Sequence, residues 1–71
     1  MPTDSPQLVR FLRLPEVKRV TGFGRSTIYD KMKEGFPKPV PLSGGAVGWA
    51  ESEIAEWQAT RIAERDAKAA E

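Results

Sequence analysis

Three consecutive side chains, Arg25, Ser26 and Thr27, bring a guanidinium and two hydroxyls to the head of a short run that keeps a narrow apolar seam. A guanidinium can donate two parallel hydrogen bonds to a base edge or grip a phosphate, and hydroxyls can do either. Ile28 and Met32 are four apart and so share one face of a helix, while Arg25, Ser26, Asp30, Lys31 and Lys33 fall largely off that face. Tyr29 stands beside Ile28, an amphipathic ring whose hydroxyl can turn to solvent or to phosphate. Gly35-Phe36-Pro37 closes the run, since Gly suits a left-handed cap and Pro cannot continue a helix. The spacing therefore predicts a helix over 25–34 that could read a nucleic acid. The plainer alternative is a charged surface helix, common in chains this polar.

Other chemistry is thinly supported. The chain has neither Cys nor His, which removes disulfides, thiolate metal sites, the usual general base and the commonest metal ligand. It has no Gly-rich phosphate loop and no convergent carboxylate pair, so an enzyme is the least supported reading. No cofactor, metal or small-molecule substrate is expected. No apolar run approaches the roughly 18 residues of a membrane span and no signal-peptide pattern opens the chain. A cytoplasmic protein without a membrane partner is expected. Seventy-one residues allow one domain with a small core.

Charge is unevenly placed. From Arg10 to Lys38 eight basic residues face three acids, a net of +5, whereas from Glu51 to Glu71 three basic residues face six acids, a net of −3. A basic front and an acidic back suit a nucleic-acid face carried by a solvated or partner-facing helix.

The elements that must position the reading helix follow in order. Residues 1–7 hold two prolines and no apolar period and read as a disordered arm. Leu8 to Leu14 alternates loosely and reads as a short entry strand or a lead-in packed on the core, with Arg10 and Arg13 able to touch phosphates but expected to be solvated. Pro15 to Thr21 is a first helix, opened by a proline at its favoured position, with Val17 and Val20 continuing the apolar line from Leu14. Gly22-Phe23-Gly24 is a tight turn, its glycines open to positive φ and Phe23 a core plug. Two short helices about such a turn make a helix-turn-helix.

Beyond the reading helix, Phe36 to Trp49 is expected to form a β-ribbon turning at Ser43-Gly44-Gly45, where mirror-type turns demand glycine. Pro41 restricts its strand to an edge. Such a ribbon is a wing if its tip reaches a groove or the phosphates, through Ser43 or backbone N–H groups near Gly44. The tip bears no Lys or Arg, so Lys38 at its base is the stronger phosphate candidate. Ala50 to about Asp66 is the third and longest helix, with Ile54, Trp57 and Ile62 as its stripe and Trp57 as the expected largest core residue. Residues 67–71 are expected to fray. The expected domain is therefore 8–66, mostly α with a small β-hairpin.

Taken together, Leu12-Arg13-Leu14-Pro15-Glu16-Val17, Thr21-Gly22, Arg25-Ser26-Thr27-Ile28-Tyr29, Gly35-Phe36-Pro37-Lys38-Pro39-Val40-Pro41-Leu42, Val47-Gly48-Trp49 and Glu53-Ile54-Ala55-Glu56-Trp57 resemble the AlpA family. These are small prophage-encoded transcriptional regulators related to excisionases and to the DNA-binding domain of MerR-type proteins. The resemblance covers roughly residues 8 to 65. It implies a winged helix-turn-helix in which the helix from Arg25 reads the groove and the hairpin is the wing. By position, the DNA-facing residues would be Arg25, Ser26, Thr27, Tyr29 and Lys31, with Lys38 and the wing behind them. Three positions depart from the family pattern. Asp30 stands where a basic residue is frequent, and its carboxylate could accept from a cytosine amino group. Ala46 follows the wing glycines where Arg is expected. Gly24 replaces the Ser or Thr that caps the reading helix, a loss of about a few tenths of a kcal/mol.

The leading expectation is a sequence-specific regulator binding double-stranded DNA. So small a module makes few contacts, so useful affinity would call for self-association, repeated sites or a partner. An excisionase-type architectural protein that bends DNA would share the fold. A third reading, from a different class, is an interaction adaptor whose acidic, Ala-rich third helix binds an integrase or a polymerase subunit.

Overall fold

The computed structural model describes residues 8–69; the expected arm at 1–7 and the last two residues of the expected frayed tail lie outside the described residues. The order is β1 (Phe11–Leu12), α1 (Leu14–Thr21), α2 (Arg25–Lys31), a 3-10 turn (Met32–Glu34), β2 (Val40–Pro41), β3 (Val47–Ala50) and α3 (Glu51–Ala69). The fold is mostly helical with one small antiparallel sheet, a winged helix-turn-helix.

The sheet has three strands rather than the two of a simple ribbon, in the order β1-β3-β2. The lead-in pairs with the return strand of the hairpin, Phe11 opposite Ala50 and Leu12 opposite Trp49. Pro41, lacking an N–H, lies on the edge strand β2 opposite Val47, as its chemistry requires. In the Ser43–Gly45 turn between β2 and β3, Gly44 and Gly45 both take positive φ, 70° and 79°, the requirement at the two central residues of a mirror-type turn. The Ala46 N–H donates back to the Ser43 carbonyl at 3.4 Å and the Leu42 N–H to the Ala46 carbonyl at 2.7 Å.

Pro15 falls in the first turn of α1, and Gly22 ends that helix in the left-handed conformation (φ 76°), its N–H donating to the Lys18 carbonyl at 2.9 Å. The Thr21 hydroxyl donates to the Val17 carbonyl and accepts from the Phe23 N–H, fixing the turn. Val20 does not continue the apolar line as expected. The line runs Leu14, Val17, Thr21, the spacing of one helix face, which leaves Val20 44% exposed. Gln58 of α3 instead donates its side-chain amide to the Val20 carbonyl at 3.1 Å.

The core gathers Leu12, Val17, Ile28, Phe36, Trp49 and Ile54, flanked by Leu14, Phe23, Met32, Val47 and Trp57. Its largest fully buried residue is Trp49, not Trp57 as the stripe on the third helix suggested. Trp49 lies on the central strand, with neighbours on both sides and helices over it, whereas Trp57 is half-buried at the margin. Phe23, Phe36 and Trp57 meet edge to face, with Phe36 and Trp57 centroids 4.9 Å apart. Phe23 thus plugs the elbow as expected.

The third helix is longer than the sequence suggested. Ala67, Lys68 and Ala69 remain helical, Ala and Lys being strong helix formers. Its apolar stripe is shorter, because every residue from Ala59 to Ala69 is exposed, Ile62 included. The helix outruns the sheet and α1, so its last turns have no core to pack on.

Candidate nucleic-acid interface

Helix α2 is held by its seam. Ile28 is fully buried and Met32 is half-buried against the core, which fixes the rotation of α2 and turns Arg25, Ser26, Thr27 and Asp30 outward. From Met32 the α-helix tightens into a 3-10 turn that ends at Gly35. Gly24 stands at the N-cap with ordinary extended backbone (φ −81°, ψ 173°) and provides no side-chain cap. Only Gly22 of the two turn glycines therefore uses positive φ.

Two side chains attach α2 to the hairpin. The Tyr29 ring meets Trp49 edge to face at 6.3 Å. The Trp49 indole N–H donates to the Pro37 carbonyl at 3.1 Å, so helix, connecting loop and return strand converge on one buried indole. Arg25 lies over the Tyr29 ring, its guanidinium carbon 5.8 Å from the centroid.

Charge pairing separates the cations. Lys31, a candidate contact, is half-buried and reaches the Glu34 carboxylate at 3.5 Å. Arg10 pairs with Glu51, Arg19 with Glu16, Arg61 with Glu64 and Arg65 with Asp66. Among the described residues Arg13, Lys18, Arg25, Lys33 and Lys38 make no ion pair, and all five are exposed. These five belong to the basic front of the chain; in α3 the two arginines are each paired with a neighbouring carboxylate, and Lys68 is exposed without an ion pair among the described residues.

The sequence candidates thus fall into three places. Arg25, Ser26, Thr27, Tyr29 and Asp30 share α2, with Lys31 at its end tied to Glu34. Ser43 and Gly44 are exposed at the hairpin tip. Lys38 opens onto a groove of about 620 Å³ shared with Glu34 and with Glu53 and Glu56 of the acidic side, which partly offsets its field. Lys33, off the seam and absent from the contacts expected from the sequence, is a free cation directly after α2. The signal that favours it over Lys31 is the i,i+3 spacing of Lys31 and Glu34, which places opposite charges within reach on one helix face.

A family model described as prophage CP4-57 regulatory protein (AlpA) matches residues 10–62. The chain belongs to the AlpA family. That match begins one residue before β1 and takes in both short helices, the hairpin and α3 through Ile62. The AlpA match thus ends within the exposed stretch of α3. The chain is similar to the uncharacterised protein ORF88 of Enterobacteria phage P4, 47% identical over 66 residues that cover 92% of this chain and 75% of the relative. It is also similar to the DNA-binding transcriptional activator AlpA of Escherichia coli K12, 45% identical over 60 residues, 75% of this chain and 86% of the relative. No solved structure gives a significant match.

Proposed function

We propose that this chain is a sequence-specific DNA-binding regulator of prophage transcription, acting in the cytoplasm. In this reading α2 enters the major groove by its N-terminal turn, the usual posture of the second helix of a helix-turn-helix. Arg25 reads a base edge, Ser26 and Thr27 hold base or phosphate, and Asp30 is available to a cytosine amino group. Arg13, Lys18, Lys33 and Lys38 serve phosphates, and the hairpin with Ser43 and Gly44 lies alongside as a wing. The observation that carries the reading is the head of α2, where Arg25, Ser26 and Thr27 are all exposed and the arginine makes no ion pair, on a helix locked by a buried seam. Membership of the AlpA family, and the description of the Escherichia coli relative as a DNA-binding transcriptional activator, support it independently.

The test is selection of duplexes from a random library, followed by fluorescence anisotropy on the selected and a scrambled duplex across a salt series. Preference for the selected duplex that persists as salt rises is the expected result. Arg25→Ala should then lose about 1–3 kcal/mol on the selected duplex alone. Equal, salt-erased binding to both duplexes would refute sequence-specific recognition, and an Arg25→Ala variant that binds as well as the parent would refute the role of Arg25.

A further inference from the structure

We infer that Tyr29 is a positioning residue for Arg25. Its ring is a platform that sets the guanidinium for the base edge, and the hairpin holds the platform through Trp49. The inference rests on the reading of α2 as the groove-reading helix. Arg25 and Tyr29 are four apart, one helical turn, which places their side chains side by side. The guanidinium carbon stands 5.8 Å from the ring centroid, inside the range of cation–π attraction. The ring is itself held, because its other contact is the edge-to-face meeting with Trp49 at 73°. Trp49 is fully buried and anchored by its hydrogen bond to the Pro37 carbonyl. A continuous line of contacts therefore runs from the loop before β2, through the central strand, to the head of α2.

The kind of contact matters. An arginine held by a carboxylate, as Arg19 is by Glu16 at 3.2 Å, has donors engaged and its charge offset. An arginine lying over a ring keeps its donors in their planar fork and its full charge. The contact with the ring restricts the rotamers before DNA arrives, so less freedom is lost on binding. Tyr29 is 39% exposed, so its hydroxyl could instead touch the DNA itself. That alternative makes different demands on the ring and on Arg25.

The experiment compares Tyr29→Phe and Tyr29→Leu, each alone and with Arg25→Ala, on the duplex selected by the parent protein and on a scrambled duplex. Melting of each variant sets the temperature at which all are folded. Tyr29→Phe should keep the preference for the selected duplex. Tyr29→Leu should lower it about 2–5-fold, the size of an exposed cation–π contact, with the salt slope unchanged. Once Arg25 is Ala, Tyr29→Leu should have no further effect, since the two act as one unit. If Tyr29→Phe loses as much as Tyr29→Leu, and the loss persists without Arg25, the hydroxyl binds DNA and the platform is refuted. If no duplex is selected at all, the proposed function fails, and NMR of the free protein still decides the platform. The Arg25 side-chain protons should be ring-shifted in the parent and in Tyr29→Phe and unshifted in Tyr29→Leu, and unshifted protons in the parent would overturn it.

Discussion

The turn between α1 and α2 allows one substitution to be tested at two glycines with opposite expected signs. Gly22 holds φ 76° and ψ 4°, where a Cβ costs about 1–2 kcal/mol for an L-residue. Part of that is returned because Ser restricts the unfolded chain, by about 0.4–1 kcal/mol, so Gly22→Ser should lose about 1 kcal/mol. Gly24 lies in extended backbone, and a Cβ added there meets nothing within 4 Å. Ser at this position supplies the missing cap, its hydroxyl accepting from the Ser26 or Thr27 N–H, for a gain of about a few tenths of a kcal/mol. For a domain of this size about 1 kcal/mol corresponds to about 4–8 °C in the melting midpoint. Melts followed by circular dichroism should therefore show Gly22→Ser falling by about that much and Gly24→Ser rising by about 1–3 °C. Gly22→Asn, which tolerates the left-handed region better, should fall less. If Gly24→Ser falls alongside Gly22→Ser, the second glycine is needed for something other than its backbone and the capping argument is wrong. A silent Gly22→Ser would mean that left-handed geometry is not what ends α1.

Four further substitutions test the packing and the charge assignment. Ile54→Ala should cost about 2–5 kcal/mol in urea unfolding because Ile54 is buried in the core, whereas Ile62→Ala, at a half-exposed position on the same helix, should stay within about 1 kcal/mol; equal losses would mean that α3 packs further along than described. Trp49→Phe removes the donor to the Pro37 carbonyl and leaves space in the core, so it should lose about 2–4 kcal/mol at an unchanged denaturant slope; a loss under about 1 kcal/mol would show that neither matters. Lys38→Ala should weaken binding to selected and scrambled duplexes alike and reduce the salt slope by about 1 if Lys38 meets a phosphate, while an unchanged slope would assign its charge to the acidic groove.

Much of this fold could be read from the chain because local rules and tertiary needs agree. Pro15 opens α1, Gly22 closes it, Ile28 and Met32 mark the buried side of α2, and Gly44-Gly45 turn the hairpin, each by backbone chemistry that holds in any context. What escaped the sequence depends on neighbours. Strand β3 is buried at Gly48, Trp49 and Ala50 in succession, so no alternation announced that Trp49, rather than Trp57, is the centre of the core. The exposure of Ile62 is equally silent, because a helical stripe says which face is apolar and not how far the partner extends. At the interface, the residue types at the head of α2 were legible. The distinction between Lys31, tied to Glu34, and the unpaired Lys33 needed the pairing itself, although the i,i+3 spacing pointed to it.

The hairpin can serve α2 in two ways, by touching DNA and by holding Tyr29 through Trp49, and a loss of affinity alone does not tell them apart. Salt dependence does, because each phosphate contact releases counterions and contributes about 0.9 to the slope on duplex DNA. Ala46 follows the turn glycines and is half-buried at the start of the return strand, with no cation at the tip to steer it towards a backbone. Ala46→Arg should raise the slope by about 1, and tighten selected and scrambled duplexes together, if the tip lies against a phosphate. Trp49→Phe, studied where it remains folded, should weaken the selected duplex and leave the slope alone, since it changes how α2 is held and not how many phosphates are met. A steeper slope for Ala46→Arg with an unaffected Trp49→Phe would make the hairpin a contact and not a support. The reverse pair of results would make it a support alone, and would attribute the phosphate contacts to α1, α2 and the turn that follows.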